Sequence, residues 1–268
     1  MQATFDFSGK RVFIFGGTSG INLGIGRSFA KAGAGVSVAS RSQDKVDAAV
    51  SELSELGSSS HGYALDVRDS EAVKNALEQY SGEVGEIDIL ISGAAGNFPA
   101  FANGMSTNAF KSVVDIDLLG TFNVMHSAFP YLNKPGASII NISAPQAFVA
   151  MPMQSHVCAA KAGVDMITRT LALEWGPHGV RINSIAPGPI ADTEGMRRLA
   201  PNKKVAEHYK TSVPLQRFGT TSEIGDAAMF LSSDAAAYVS GIVMPVDGGW
   251  SVAGASAAAL AMSQHMHS

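Results

Sequence analysis

Residues 11–16, RVFIFG, form an unbroken apolar run that passes directly into the glycine-rich GGTSGINLGIG of residues 16–26. A short continuous run, rather than an alternating one, fits a parallel strand covered on both faces. The following RSFAKAGAG reads as a helix left at Gly33 and Gly35. A glycine-rich turn between strand and helix lets backbone N–H groups approach a pyrophosphate, where the helix dipole favours negative charge. A glycine pattern alone is a weak signal, and its placement between strand and helix is what makes this one a nucleotide site. Its candidate contacts are Gly16, Thr18, Ser19, Gly20, Gly24 and Gly26.

The alternation continues down the chain. VSVAS (36–40) and YALDV (63–67) read as strands, with helices over 42–56 and 69–81. IDILISGAAGN (87–97) is a fourth strand running into a turn of small residues, where the backbone can lie against a cofactor. A long helical stretch covers 107–133, and Ala137–Ser143 is a buried strand. An apolar loop then leads to a helix carrying Lys161, and VRINSIAPGPIADTEGMRRLA (180–200) is a strand entering a proline-glycine turn. SEIGDAAMFLSSDAAAYVSGIVMPVDGG (222–249) supplies the last helix and strand. Strands alternating with helices predict an α/β fold: a single-domain, Rossmann-type, doubly wound parallel sheet with helices on both faces. No linker or charge run divides the 268 residues. We expect 8–97 to be mainly cofactor-binding, 98–252 catalytic and substrate-facing, and 253–268 a small-residue tail.

The end of the second strand, Ser40-Arg41-Ser42, speaks to the nucleotide. An acidic residue here would bond the ribose 2′-OH of NAD; Arg41 can instead pair with the 2′-phosphate, so the expected cofactor is NADP(H). The net charge of −4, with no basic patch or stripe, argues against a nucleic-acid partner. Charged residues make up 16%, below the roughly 25% usual in soluble domains. That deficit points to surface buried in an oligomer. Cys158 is the only cysteine, which excludes an internal disulfide and fits a reducing compartment. No signal-like N-terminus, no 18-residue apolar run and no Ser-Lys-Leu ending occur, so a cytoplasmic, non-membrane protein is expected.

GAAGNF (93–98), NAFKSVVDIDLLGTFNV (108–124), HVCAAKAGVDMITRTLALEWGPHGVRINSIAPGPI (156–190) and TEGMRRL (193–199) resemble the peroxisomal-type 2,4-dienoyl-CoA reductases. These form a branch of the short-chain dehydrogenase/reductase family, whose general pattern spans nearly the whole chain. That family usually places a Ser at the position of Ala144 and a Tyr at that of Val157, four residues before the Lys; here only Lys161 remains, with Ser143 one step early. The resembled branch also lacks the Tyr, keeps the Lys, and carries Asp where this chain has Asp117 and Asp165. Two features depart from its pattern: the missing peroxisomal tail, and a loop expected to be about four residues longer, with Asn22-Leu23-Gly24-Ile25 preceding Gly26.

The resemblance implies Asp66 and Val67 at the adenine end, and Ala94, Ala95 and Gly96 along the cofactor. It implies Lys161 on the nicotinamide ribose, Pro187, Gly188 and Ile190 flanking the nicotinamide, and Thr193 at its carboxamide. The segment after Thr193 would form a substrate lid. A homotetramer, paired through the last strand and two long helices, is implied as well.

The chemistry follows from the missing phenol. Reducing an isolated carbonyl needs a proton donor at the product oxygen. A conjugated dienoyl thioester takes hydride at Cδ, charge gathers on the thioester oxygen, and a proton is returned separately to carbon. Asn97, beside the small-residue turn, can donate to that oxygen, and Lys161 contributes positive charge. Asp165 or Asp117, with a water, can return the proton; Asp165 is equally readable as an exposed i,i+4 partner of Lys161. The expected substrate, an acyl-CoA thioester, would meet Asn97, Phe98, Ser143, Gln146, Phe148 and His156. Met151, Met153 and Met196 with Phe98, Phe101 and Phe148 could line an acyl pocket. Cys158 reads as packed, and no metal site is expected, with His265 and His267 in the tail. The alternatives are a reductase of ketones or 3-oxoacyl thioesters, with His156 or water replacing the Tyr, and a non-catalytic nucleotide-binding subunit.

Overall fold

The computed structural model describes residues 4–200 and 202–253. In chain order the elements are β1 (Arg11–Phe15), α1 (Gly20–Lys31), β2 (Gly35–Ser40), α2 (Gln43–Glu55), β3 (Gly62–Ala64), α3 (Ser70–Glu83) and β4 (Ile89–Ser92). Then come α4 (Thr107–Val113), α5 (Gly120–Ala128), β5 (Ser138–Ile142), α6 (Ser155–Trp175), β6 (Arg181–Pro187), α7 (Glu194–Leu199), α8 (Lys203–Ser212), α9 (Thr221–Ser232) and β7 (Val243–Val246). Among the described residues these build one seven-stranded sheet in the order β3-β2-β1-β4-β5-β6-β7. Every pairing is parallel.

The apolar run of β1 serves both faces of that sheet. Val12 and Ile14 pack with Leu23, Ile25, Phe29 and Ile224 on one side. Phe13 and Phe15 pack with Leu77, Tyr80 and Leu90 on the other. Because successive side chains alternate across a strand, two buried faces demand the unbroken apolar stretch seen in the sequence. The chain winds outward from β1 to β2 and β3, then crosses to β4. That reversal opens a crevice beyond the C-terminal ends of β1 and β4, the usual ligand position in such sheets.

Two expectations are corrected. The glycine loop is not lengthened: α1 begins at Gly20, so Gly24 and Gly26 lie inside the helix. A Cβ on Gly24 would stand 2.3 Å from Thr221 Cβ, and one on Gly225 would meet Ser28 Oγ at 2.1 Å. Gly24 therefore serves close packing of α1 on α9, and Gly26 faces Ile14, Val36 and Leu53, so neither belongs to the turn. Likewise the helical stretch over 107–133 is not one regular helix. A π-helical segment, Val114–Leu119, separates α4 from α5, and Asp117 sits within it. π-Segments are rare and gather at functional sites. No helix among the described residues is long and apolar enough to cross a membrane.

Candidate active site

A cleft of about 440 Å³ runs along the C-terminal ends of the central strands. The turn after β1 forms one wall. Gly16 adopts φ +76°, and a Cβ there would lie 2.8 Å from Ala94 N, so only glycine fits this approach. Thr18, Ser19 and Gly20 follow along the wall at the start of α1, which offers orphan N–H groups toward the cleft. Ser40, Arg41 and Lys45 line the end beyond β2. Asp66 and Val67 line it too, but the chain has left β3 before reaching them. The Asp66 carboxylate is held by Arg68 at 2.6 Å, and this pairing pulls its pKa below the usual carboxylate range. Ala94, Ala95 and Gly96 line the wall after β4, and Pro187, Gly188, Ile190 and Thr193 the wall after β6. Closely approached backbone, a helix N-terminus and a basic outer end are what a dinucleotide requires, and the residues fit it.

At the inner end stand Asn97, Asp117, Ser143, Gln146, Val157 and Lys161. The π-segment aims Asp117 inward: Oδ1 accepts the Gly96 N–H at 2.7 Å, and Oδ2 lies 3.3 Å from Lys161 Nζ. Lys161 also donates to the Ile142 carbonyl at 2.9 Å. Asn97 Oδ1 is buried without a protein partner among the described residues, as is Ser143 Oγ. The Asn97 carbonyl accepts from Arg198 Nη1 of α7 at 3.0 Å, tying the α7 segment to the turn after β4. Thr193 caps α7 through the Met196 N–H.

Asp165 does not reach the cleft wall. It lies behind it, 3% exposed, which removes its reading as an exposed partner of Lys161. Burial raises its pKa, with the Ser143 hydroxyl, Arg169, the Ser184 hydroxyl and Lys161 acting in the opposite sense. Gly24 and Gly26 are absent from the wall for the packing reason given above. His156 and Phe98 are also displaced from it: their rings pack at 4.5 Å beside Val113, Val157 and Ala160. His156 is wholly buried, neither ring nitrogen has a partner among the described residues, and burial lowers its pKa. It cannot stand in for a cleft-facing phenol. Phe148 follows a short turn, Pro145–Ala147, that places Gln146 at the cleft and leaves Phe148 half exposed. Phe101 and Met153 are exposed too, so of the expected acyl-pocket residues only Met196 lines the cleft. Leu199, Tyr209 and Trp250 line it beside Met196. Nothing in their sequence pattern marks them, because they come from helices brought over the site by the chain after Thr193. Cys158 is half buried, and His265 and His267 lie outside the described residues. No group of three or more His, Cys, Asp or Glu able to hold a metal occurs among the described residues.

Comparisons with known proteins agree with this geometry. Residues 16–251 match the family model described as Enoyl-(Acyl carrier protein) reductase. The peroxisomal 2,4-dienoyl-CoA reductase [(3E)-enoyl-CoA-producing] of Arabidopsis thaliana is 44% identical over 251 residues, covering 90% of this chain and 84% of that protein. The Rattus norvegicus protein of the same description is 45% identical over 242 residues, covering 90% and 83%. A short chain dehydrogenase from Bacillus anthracis, solved by crystallography, superposes with a TM-score of 0.81 at 39% identity, covering 90% of this chain and 96% of that one. Sheet order, cleft and sequence relationships lead to one assignment: the chain belongs to the short-chain dehydrogenase/reductase family, oxidoreductases that work with a nicotinamide cofactor.

Proposed function

We propose that this protein reduces conjugated enoyl thioesters of the 2,4-dienoyl-CoA type, with NADPH as reductant. The observation that carries the reading is Val157 at the cleft wall one turn before Lys161, beside Asn97 and the Lys161–Asp117 pair. Such a site has donors for an enolate oxygen and no phenol on the lysine helix. Tyr209 is the phenol that does line the cleft, but it comes from α8, and burial alone raises its pKa. A cation lowering a phenol's pKa is what would make it a replacement.

The bound nicotinamide supplies the hydride. Hydride reaching C5 of the dienoyl thioester would drive the conjugated electron pairs onto the thioester oxygen. The Asn97 amide donates to that oxygen, and Lys161 adds positive charge nearby. Asp117 is a positioning residue: through the Gly96 N–H it fixes the turn that ends at Asn97, and it holds the Lys161 ammonium. One oxygen accepts from the Gly96 N–H, and the other lies within ion-pair distance of Lys161 with no hydrogen-bond partner among the described residues. Asp165 is the better proton store, since burial favours its protonated form. Ser143 lines the cleft wall, and its hydroxyl, unpaired among the described residues, is free to take up the Asp165 proton and pass one on to C2. Hydride at C5 and a proton at C2 leave a 3-enoyl thioester, with one C–C double bond consumed and another moved. Met196, Leu199, Tyr209 and Trp250 form an apolar wall suited to the acyl chain.

NADPH is favoured by Arg41 and Lys45 at the outer end of the cleft, where no acid stands after β2. Exposed apolar residues on the long helices and near β7, namely Leu119, Phe122, Met166, Leu173, Tyr238 and Ile242, support a homotetramer. Light scattering should return four chains per particle, and a monomer at micromolar concentration would contradict it. Product analysis tests the chemistry. With nicotinamide deuterated at its transferable position, the 3-hexenoyl-CoA formed from hexadienoyl-CoA should carry label at C5 and solvent hydrogen at C2. Label at the carbonyl carbon of a 3-oxoacyl acceptor, with none taken up from the dienoyl thioester, would replace this reading by carbonyl reduction.

A further inference from the structure

Asn22 stands third in α1, where the chemistry above gives it no task. It lines the cleft yet is only 8% exposed. Its amide Nδ2 donates to two backbone carbonyls, Gly16 O at 3.2 Å and Gly93 O at 2.7 Å. Gly16 follows β1 and Gly93 follows β4, the neighbouring strands between which the chain reverses direction across the sheet. The packing is built around this side chain: a Cβ on Gly93 would meet Asn22 Oδ1 at 2.3 Å and Nδ2 at 2.4 Å. Gly16 in turn approaches Ala94 too closely for any Cβ. One amide thus clamps two adjoining turns that together line the nucleotide cleft. The remaining atom, Oδ1, is buried and has no partner among the described residues. A buried acceptor left unpaired is unfavourable, which is the condition a ligand-borne donor relieves.

We propose that Asn22 is a positioning residue for the dinucleotide. It sets the separation between the pyrophosphate turn after β1 and the turn after β4, and its Oδ1 accepts an O–H brought into the cleft with the nucleotide. A glycine at this point would let helix and strands approach but could not tie the two turns together. The proposal rests on the family's nicotinamide cofactor and not on the acyl acceptor, so failure of the dienoyl-CoA reading leaves its test intact.

The test compares Asn22→Gly, Asn22→Ser and Asn22→Asp with the unsubstituted protein, without acyl substrate. Binding of NADPH and NADH is followed by nicotinamide fluorescence, and binding of adenosine 5′-monophosphate by competition. The monophosphate occupies one end of the cleft and does not span both turns. Loss of two amide hydrogen bonds should weaken dinucleotide binding by about tenfold in Asn22→Gly, and binding of the monophosphate by less than about twofold. Asn22→Asp should be at least as damaging, because a carboxylate oxygen would face two carbonyl oxygens. Asn22→Gly, whose residue suits a helix start, carries the test if Asn22→Asp does not fold. Unchanged dinucleotide affinity in Asn22→Gly, or equal loss for dinucleotide and monophosphate, would overturn the proposal, the second result marking Asn22 as a residue of the fold alone.

Discussion

Lys161 and Asp117 form an ion pair at 3.3 Å with side chains only 7% and 1% exposed, one from α6 and the other from the π-segment before α5. Burying two charges together contributes little net stability, whereas removing one leaves the other stranded. Asp117→Ala would strand the Lys161 ammonium, which then keeps only the Ile142 carbonyl. We expect a loss of up to about 3–5 kcal/mol, read from denaturant midpoints at constant slope. Asp117→Asn keeps an acceptor for the Gly96 N–H and should lose clearly less. Equal stability of the two variants would mean that the acceptor for the Gly96 N–H adds nothing, whereas a loss in neither variant would mean that the charge pairing is immaterial.

Asn97→Ala tests the oxyanion role. Charge on the thioester oxygen grows only as hydride arrives, so the donor is worth more in the transition state than in the ground state. Turnover should fall by about 10²–10³, with dienoyl-CoA binding far less affected. A rise in KM at unchanged kcat would assign Asn97 to binding only.

The fold was largely legible in the sequence because its signals are local. Apolar-rich runs marked β1, β4 and β5 within a residue or two, since a strand buried on both faces is mostly apolar even where, as at Ser138 and Asn141 of β5, it buries polar residues. Arg41 and Ala94, which follow strand ends, came from the same topology, whereas Gly188 came from the family resemblance. The misreadings share a cause. Gly24 was assigned to the turn by spacing, but a glycine that lets two helices approach looks the same in sequence as one that lets phosphate approach. Phe148 was assigned to an acyl pocket and His156 to the substrate from its place at the start of the Lys161 helix, where the roughly 100° between successive residues decides which neighbour faces the cleft. That neighbour is Val157. Tyr209 and Trp250 reach the site only through tertiary packing of the chain after β6.

Asp165 gives a pH dependence of defined sign. Burial raises its pKa above the ordinary value of 3.8, so the folded chain holds this proton more tightly than the unfolded one. Its contribution to stability is full below the unfolded value and is lost as pH rises through the raised folded value. Asp165→Asn mimics the protonated form and removes that loss. The melting temperature of Asp165→Asn relative to the unsubstituted protein should therefore climb as pH rises above the ordinary value of 3.8. Parallel curves would show that the carboxyl titrates alike in both states. Turnover should fall in the same variant, since an amide has no carboxyl proton to give.

The proposed preference for NADPH is tested at Arg41. Arg41→Asp replaces a phosphate partner with a charge that repels phosphate and accepts from a ribose hydroxyl. NADPH binding should weaken by about tenfold or more, the scale of a charge-assisted hydrogen bond, and NADH binding should hold or improve. Equal affinity of the unsubstituted protein for both cofactors would contradict the assignment.

The central claim is that a site with Val157 in place of a phenol reduces conjugated thioesters rather than carbonyls. Following NADPH oxidation by the unsubstituted protein with 2,4-hexadienoyl-CoA, with a 3-oxoacyl-CoA of equal chain length and with no acceptor tests it most directly. The account predicts turnover with the dienoyl thioester at least about a hundredfold above the 3-oxoacyl thioester, the scale one missing general acid imposes. Faster oxidation with the 3-oxoacyl thioester, or none with either acceptor in a protein that binds NADPH, would contradict it.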